Sequence, residues 1–127
     1  MAEIVIDASS AVCFLRCERG WENFFEYLPG SIMSVVNYAE VVQRLLRDDP
    51  VAELRASGLV GSGLKLVDLD LDTALAAARL EGSTRSQGVS LADRVCLALA
   101  MGRKLPVLTA DKPWTELSLP VDIKLLR

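Results

Sequence analysis

The chain has no histidine among its 127 residues, against 17 aspartates and glutamates. That absence excludes a Ser-His-Asp or Cys-His pair, histidine general acid–base work and zinc held by imidazole. Any catalysis therefore falls to carboxylates, hydroxyls, lysine or a hard metal ion. Asp7 ends the β-branched run Ile4-Val5-Ile6, and Asp111 ends Leu108-Thr109-Ala110. Each fits a strand-end turn or a helix cap as well as it fits a ligand site. Asp93 closes Ser90-Leu91-Ala92-Asp93, the spacing of a capping box with Asp in place of Glu, so capping is its first reading. The helix that follows is so apolar that it must be buried. Its first turn would then place the carboxylate on the floor of a cleft, where it requires partners.

Glu40 has the weakest local case. The stripe Val35, Tyr38, Ala39, Val42, Leu45 and Leu46 sets the core face of its helix, and Glu40 projects away from it, four residues before Arg44. A solvated i,i+4 ion pair is the better local reading, and only a cleft on that side reverses it. The three cysteines read as small core residues, since Cys13 and Cys17 have no further Cys or His to complete a zinc site. The run Asp68, Asp70, Asp72 is explained by helix capping. Gly58-Leu59-Val60-Gly61-Ser62-Gly63 lacks the spacing and the Gly-Lys-Ser/Thr ending of a phosphate loop.

The elements that must position these acids alternate along the chain. Strands are expected at Glu3 to Ile6, Ser31 to Met33, Leu64 to Val67, Pro106 to Leu108 and Val121 to Leu125. Helices are expected from Ser9 or Ser10 to about Cys17, around Trp21 to Leu28, from Val35 to about Arg47, from Pro50 to the Gly58 region, from Asp70 to about Glu81, and from Ser90 to Met101. Gly82 to Gly88 reads as a polar loop. Strands separated by helices imply right-handed crossovers and a mainly parallel sheet of about five strands, flanked by helices in three layers. Ligands of such sheets sit beyond the carboxyl ends of the strands, where the strand order reverses. If the first and fourth strands are neighbours, Asp7 and Asp111 converge on one crevice.

Composition sets the remaining bounds. Hydrophobic residues make up 51% and charged residues 24% of the chain, which suits one domain over 1–127 with a real core. No apolar run approaches the roughly 18 residues of a membrane span. The first residues lack the basic and apolar regions of a secretory signal, so a cytoplasmic location is expected. Lys and Arg number 14 against 17 acids, a net charge of −3. Any nucleic-acid site must then be local.

Four segments, taken in order, carry a resemblance: Val5-Ile6-Asp7-Ala8-Ser9, Ser34-Val35-Val36-Asn37-Tyr38-Ala39-Glu40-Val41, Ser90-Leu91-Ala92-Asp93-Arg94-Val95-Cys96-Leu97-Ala98 and Leu108-Thr109-Ala110-Asp111-Lys112-Pro113-Trp114. Together they cover nearly the whole chain. They resemble the PIN-domain ribonucleases, and within them the VapC toxins of toxin-antitoxin pairs. The resemblance implies that Asp7, Glu40, Asp93 and Asp111 form an acidic metal site, with Ser9, Asn37 and Thr109 as polar support. Four carboxylates about 5 Å apart would repel by about 3 kcal/mol per pair at an effective dielectric near 20, so a cation is needed. Oxygen ligands without histidine favour Mg²⁺ or Mn²⁺. The implied activity is RNA cleavage by metal-activated water. The implied partners are an RNA substrate, a cognate VapB-like antitoxin and a second copy in a homodimer. A DNA-directed or RNA-processing nuclease, a phosphoacceptor signalling domain and a non-catalytic PIN-fold binding module are the alternatives.

Overall fold

The computed structural model describes residues 3–127. Its strands are β1 (Ile4–Ile6), β2 (Ser31–Ser34), β3 (Lys65–Val67), β4 (Val107–Thr109) and β5 (Ile123–Leu125), and its α-helices are α1 (Ala8–Leu15), α2 (Val35–Leu45), α3 (Ala52–Gly61), α4 (Leu71–Arg79), α5 (Glu81–Thr84) and α6 (Leu91–Arg103). The strands form one sheet in the order β3-β2-β1-β4-β5, with every pairing parallel. β1 is central, and a parallel strand covered on both faces has no polar side, which is why Ile4, Val5 and Ile6 are all apolar and buried. Val5 lies opposite both Ile32 and Val107, and Ile6 opposite Leu108. The chain moves outward from β1 to β2 and β3, then returns to β4 on the other side. The order therefore reverses at β1/β4.

Alternation along the strands divides the core. Ile4, Ile6, Met33 and Leu108 pack with α1, α2 and α3 through Ala11, Leu45, Ala56 and their neighbours. Val5, Ile32 and Val107 pack on the opposite face with Cys96, Leu97 and Ala100 of α6 and with Trp114. Helix α6 is covered again from outside, where Val95 and Ala98 meet Ala77 of α4. Sandwiched between the sheet and α4, it has little surface to give to water, which accounts for its apolar character around nearly its whole circumference. The expected three-layer α/β architecture is thus the observed one. Among the described residues, no helix is long and apolar enough to cross a membrane.

Three local expectations need correction. The first helix begins at Ala8 with Asp7 as its cap, rather than at Ser9 or Ser10, and stops at Leu15. It ends in a Schellman arrangement, in which the Glu18 N–H donates to the Cys13 carbonyl at 3.0 Å and the Cys17 N–H to the Phe14 carbonyl at 3.1 Å. That geometry turns Cys17 to a φ of 52° and exposes it, so Cys13 and Cys96 are core residues and Cys17 is not. The aromatic segment forms a 3₁₀ helix, Trp21–Glu26, in which Phe24 is buried and stacks on Phe14 while Phe25 stays 55% exposed. Gly82 to Gly88 is not a plain loop, because α5 and a 3₁₀ turn at Arg85–Gln87 occupy it. The Thr84 N–H donates to the Leu80 carbonyl at 3.1 Å, continuing helical bonding through a Gly- and Ser-rich stretch that reads as irregular, and the Thr84 hydroxyl donates to the same carbonyl at 2.7 Å.

Leu97 is fully buried at the contact of α6 with the sheet, whereas Leu54 is 73% exposed on α3. Leu97→Ala should lower unfolding stability by about 2–5 kcal/mol, while Leu54→Ala should change it by less than about 0.5 kcal/mol. Urea titrations of both variants, compared at equal slope, check the difference.

Candidate active site

The carboxyl ends of β1 and β4 bring Asp7 and Thr109 together at the point where the strand order reverses. Asp7 is 3% exposed and caps α1, accepting the Ser10 N–H at 2.9 Å on Oδ1. Its Oδ2 accepts the Thr109 hydroxyl at 2.6 Å and the Ser9 hydroxyl at 2.8 Å. The Thr109 hydroxyl is in turn an acceptor for the Asp111 N–H, and the Ser9 hydroxyl for the Ala110 N–H, each at 3.0 Å. Every donor to Asp7 is neutral. Burial outweighs these bonds and raises the Asp7 carboxyl from 3.8 to about 6.

A second group forms where α2 meets the start of α6. The buried Asn37 donates Nδ2 to the Ala92 carbonyl at 2.9 Å, tying α2 to the first turn of α6 beside Asp93. Asp93 completes the capping box, with Oδ2 accepting the Ser90 N–H at 3.0 Å and its own N–H donating to Ser90 Oγ at 3.1 Å. Glu40 is half-buried, and its carboxyl is pushed up by burial first and then by the negative charge of Asp93. It forms no ion pair with Arg44 among the described residues, so the solvated Glu-Arg reading is wrong. The reason is tertiary: Asn37 draws α6 against that face of α2. Glu40 Oε1 and Asn37 Oδ1 are buried with no hydrogen-bond partner.

The two groups share a neighbour. The thiol of Cys96 is wholly buried and held well above its usual range, by desolvation first and then by the charges of Asp7, Asp93 and Glu40. Asp111 stands apart. Its backbone is fixed through Thr109, but its side chain is exposed and makes no hydrogen bond among the described residues. No group of three or more His, Cys, Asp or Glu among the described residues is arranged to hold a metal ion by itself.

The donors nevertheless fit a hard divalent cation. An orphaned buried carboxylate oxygen, a second buried carboxylate with only neutral donors, and the absence of nitrogen or sulfur ligands are what such an ion requires. Mg²⁺ is commonly held by one or two carboxylates and keeps several waters, so a closed protein cage is unnecessary. Ser10 was not singled out from sequence although it shapes the site: its buried hydroxyl lies 3.0 Å from the Asp7 carbonyl and 3.2 Å from the Leu108 carbonyl, both acceptors, locking α1 to β4. The only sequence trace of this is its position three residues after Asp7, where a capped N–H must fall.

A parallel α/β domain with acids at its switch point is the class that fold and site define. Residues 4–118 match the family model of the PIN domain, and the chain belongs to the PIN-domain family. No curated protein matches it in sequence. Among solved structures it is similar to a DNA-bound VapBC from Salmonella typhimurium, at 16% identity with a TM-score of 0.75 and all of both chains covered. A toxin-antitoxin complex from Klebsiella pneumoniae is similar at 17% identity and a TM-score of 0.72, covering 95% of this chain and 100% of that one. The sarcin-ricin loop cleaving toxin VapC20 from Mycobacterium tuberculosis follows at 13% identity and 0.73, covering 94% and 99%. At these identities the likeness establishes a shared fold.

The raised Asp7 carboxyl carries a stability consequence. Its folded value of about 6 lies above the ordinary 3.8, so the folded state holds the proton more tightly and the stabilisation present in acid is lost as pH rises through 6. Asp7→Asn keeps an oxygen for the Ser10 N–H and removes the buried charge. In chelator at pH 7.5 it should be more stable than the parent by up to about 3 kcal/mol, with the gap closing by pH 4. Denaturant melts of the two proteins across that range check both sign and window.

Proposed function

We propose that this chain is a metal-dependent endoribonuclease of the VapC type, with Asp7, Glu40, Asp93 and Asp111 as the acidic site and Ser9, Asn37 and Thr109 as its polar support. The observation that carries the reading is the buried, unpartnered Glu40 Oε1 facing the charge of Asp93, within the same acidic neighbourhood as Asp7. Buried polar atoms without a partner are few in a folded protein, and a carboxylate oxygen among them is a candidate cation ligand. Membership of the PIN family supports nuclease chemistry, and the similar toxin from Mycobacterium tuberculosis, described as cleaving the sarcin-ricin loop, supports RNA as the substrate.

A Mg²⁺ or Mn²⁺ bound here supplies activation of water and neutralisation of phosphate charge. The chain's own residues do the positioning. Thr109 and Ser9 hold the Asp7 carboxylate in one orientation, and Ser90 holds Asp93 by one oxygen while leaving Oδ1 available. Asn37 keeps Glu40 beside them. Asp111, exposed on the β4 side, would face incoming RNA. The phosphoacceptor alternative asks for paired acids after the first strand, where this chain has Asp7 followed by Ser9 and Ser10.

The cognate antitoxin has a suitable surface. Cavities of about 450 Å³ and about 510 Å³ flank α3, the first lined by Phe14, Phe25 and Leu28, the second by Tyr38, Val42 and Leu46. Their apolar walls suit an amphipathic segment. Leu71 and Leu75, exposed one turn apart on α4, suit a second copy in the homodimer.

Asp93→Asn keeps the cap acceptor while removing charge, so it should retain the parent fold and lose RNA cleavage on the order of a hundredfold or more. Cleavage of a single-stranded RNA in Mn²⁺, with thermal melts of both proteins, tests this; full activity in the folded variant defeats the site assignment. Metal should also stabilise the parent, by about 2.7 kcal/mol at 100 times Kd, and chelator should reverse both effects. Co-expressed antitoxin should suppress cleavage and weaken Mn²⁺ binding. A complex that cleaves as fast as the free protein defeats occlusion while leaving the nuclease assignment standing.

A further inference from the structure

Four of the ten arginines of this chain lie by an acid. Arg16 reaches Asp48, Arg55 reaches Asp49, Arg85 forms a two-bonded pair with Glu81, and Arg127 lies near Glu18. Arg94 differs. It follows Asp93 in the first turns of α6, it is half-buried, and it makes no salt bridge among the described residues, its charge reaching only the Glu81 carboxylate that Arg85 already pairs. Its guanidinium is still held, because Nε donates to the Thr84 hydroxyl oxygen at 2.9 Å. Thr84 is fully buried and spends its own proton on the Leu80 carbonyl at 2.7 Å. Its oxygen is thereby left as an acceptor, and the direction of the bond from Arg94 is settled. The two Nη groups make no protein hydrogen bond among the described residues.

A planar guanidinium anchored through Nε by a neutral group keeps its charge and its Nη donors for an oxyanion, and the anchoring has already removed part of the side-chain entropy that binding would cost. Its neighbouring elements are those that carry two of the candidate acids. α6 carries Asp93 one residue earlier. The turn Arg85–Gln87, which follows Thr84, packs against the 3₁₀ segment Lys112–Glu116 that follows Asp111. We propose that Arg94, held by Thr84, is a substrate-binding residue that takes a backbone phosphate of RNA next to the scissile bond. This rests on the nuclease reading and deepens it, since it assigns the positive contact that a chain of net charge −3 needs locally.

The test uses the full chain, a fluorescent single-stranded RNA and Mn²⁺. Arg94→Gln should raise KM about tenfold with little change in kcat, and should reduce the salt slope of RNA binding by about one. Thr84→Val keeps the charge but frees the guanidinium, so KM should rise roughly threefold with the salt slope unchanged. Arg103→Gln, at the far end of the same helix, is the charge-matched control and should leave both at parent values. Thermal melts separate binding from folding: if Arg94→Gln lowers Tm but leaves KM and the salt slope intact, Arg94 is only a structural tie and the proposal is wrong. A parent protein that neither binds nor cleaves RNA defeats the nuclease reading itself, and the inference falls with it. A parent that cleaves while Arg94→Gln matches its KM defeats the inference alone.

Discussion

The burial of Asp7 at the end of the central strand, with only neutral donors around it, is the condition on which the rest of the domain turns. β1 must be apolar because helices cover it on both faces, so the first polar side chain after it emerges into a region already stripped of water. Three donors and the N-terminal end of α1 favour the carboxylate, yet burial still wins and raises it to about 6. Bringing Glu40 and Asp93 toward the same buried thiol makes the electrostatics worse. Asp93 adds to the burial that raises Glu40, and the charge of Arg44 and the Asn37 amide offset it only in part. On the proposed reading, a divalent cation is what relieves this arrangement.

Two of the candidate acids also cap helices, which is why a chemical role for them is hard to read locally. Asp7 caps α1 and Asp93 caps α6. In each, one oxygen serves a backbone N–H; the other is held by the Thr109 and Ser9 hydroxyls in Asp7 and is left without a protein donor in Asp93. Capping thus acts as a positioning device: a helix terminus is rigid, and a carboxylate pinned by one oxygen presents the other in a narrow range of directions. The capping role of these residues is observed, and the chemical role proposed for them does not compete with it.

Much of the architecture was legible in the chain. Ile4-Val5-Ile6, Val107-Leu108 and the apolar α6 announce a buried parallel sheet by periodicity alone, and Ser90 to Asp93 announces the cap that is seen. Glu40 was not legible, because its environment is made by α6, more than fifty residues away, through one bond from Asn37 to the Ala92 carbonyl. The apolar stripe also misplaced the core face of α2, which buries Asn37, Val41 and Leu45 while Ala39 and Leu46 are exposed, and periodicity carries no information about a second helix arriving beside it. The same limit applies to the Gly82 to Gly88 stretch, where Thr84 and Leu80 continue a helical turn against the local composition. Cys17 fails for a different reason: its exposure follows from where α1 stops, and helix ends are the least determined feature of a sequence pattern.

The negative net charge fits the same logic once the pairing of the basic residues is considered. Arg16, Arg55, Arg85 and Arg127 each lie by an acid, so their charges are largely cancelled at short range and contribute little to a long-range field. A chain of this kind cannot gather RNA by bulk attraction. On the proposed reading its affinity comes from a few contacts at the crevice, a cation among the acids and a fixed guanidinium beside them. Phosphate recognition of that sort depends on geometry more than on total charge. It favours an RNA whose backbone already has the shape of the crevice over an arbitrary strand, so selectivity would follow from where the fixed contacts stand.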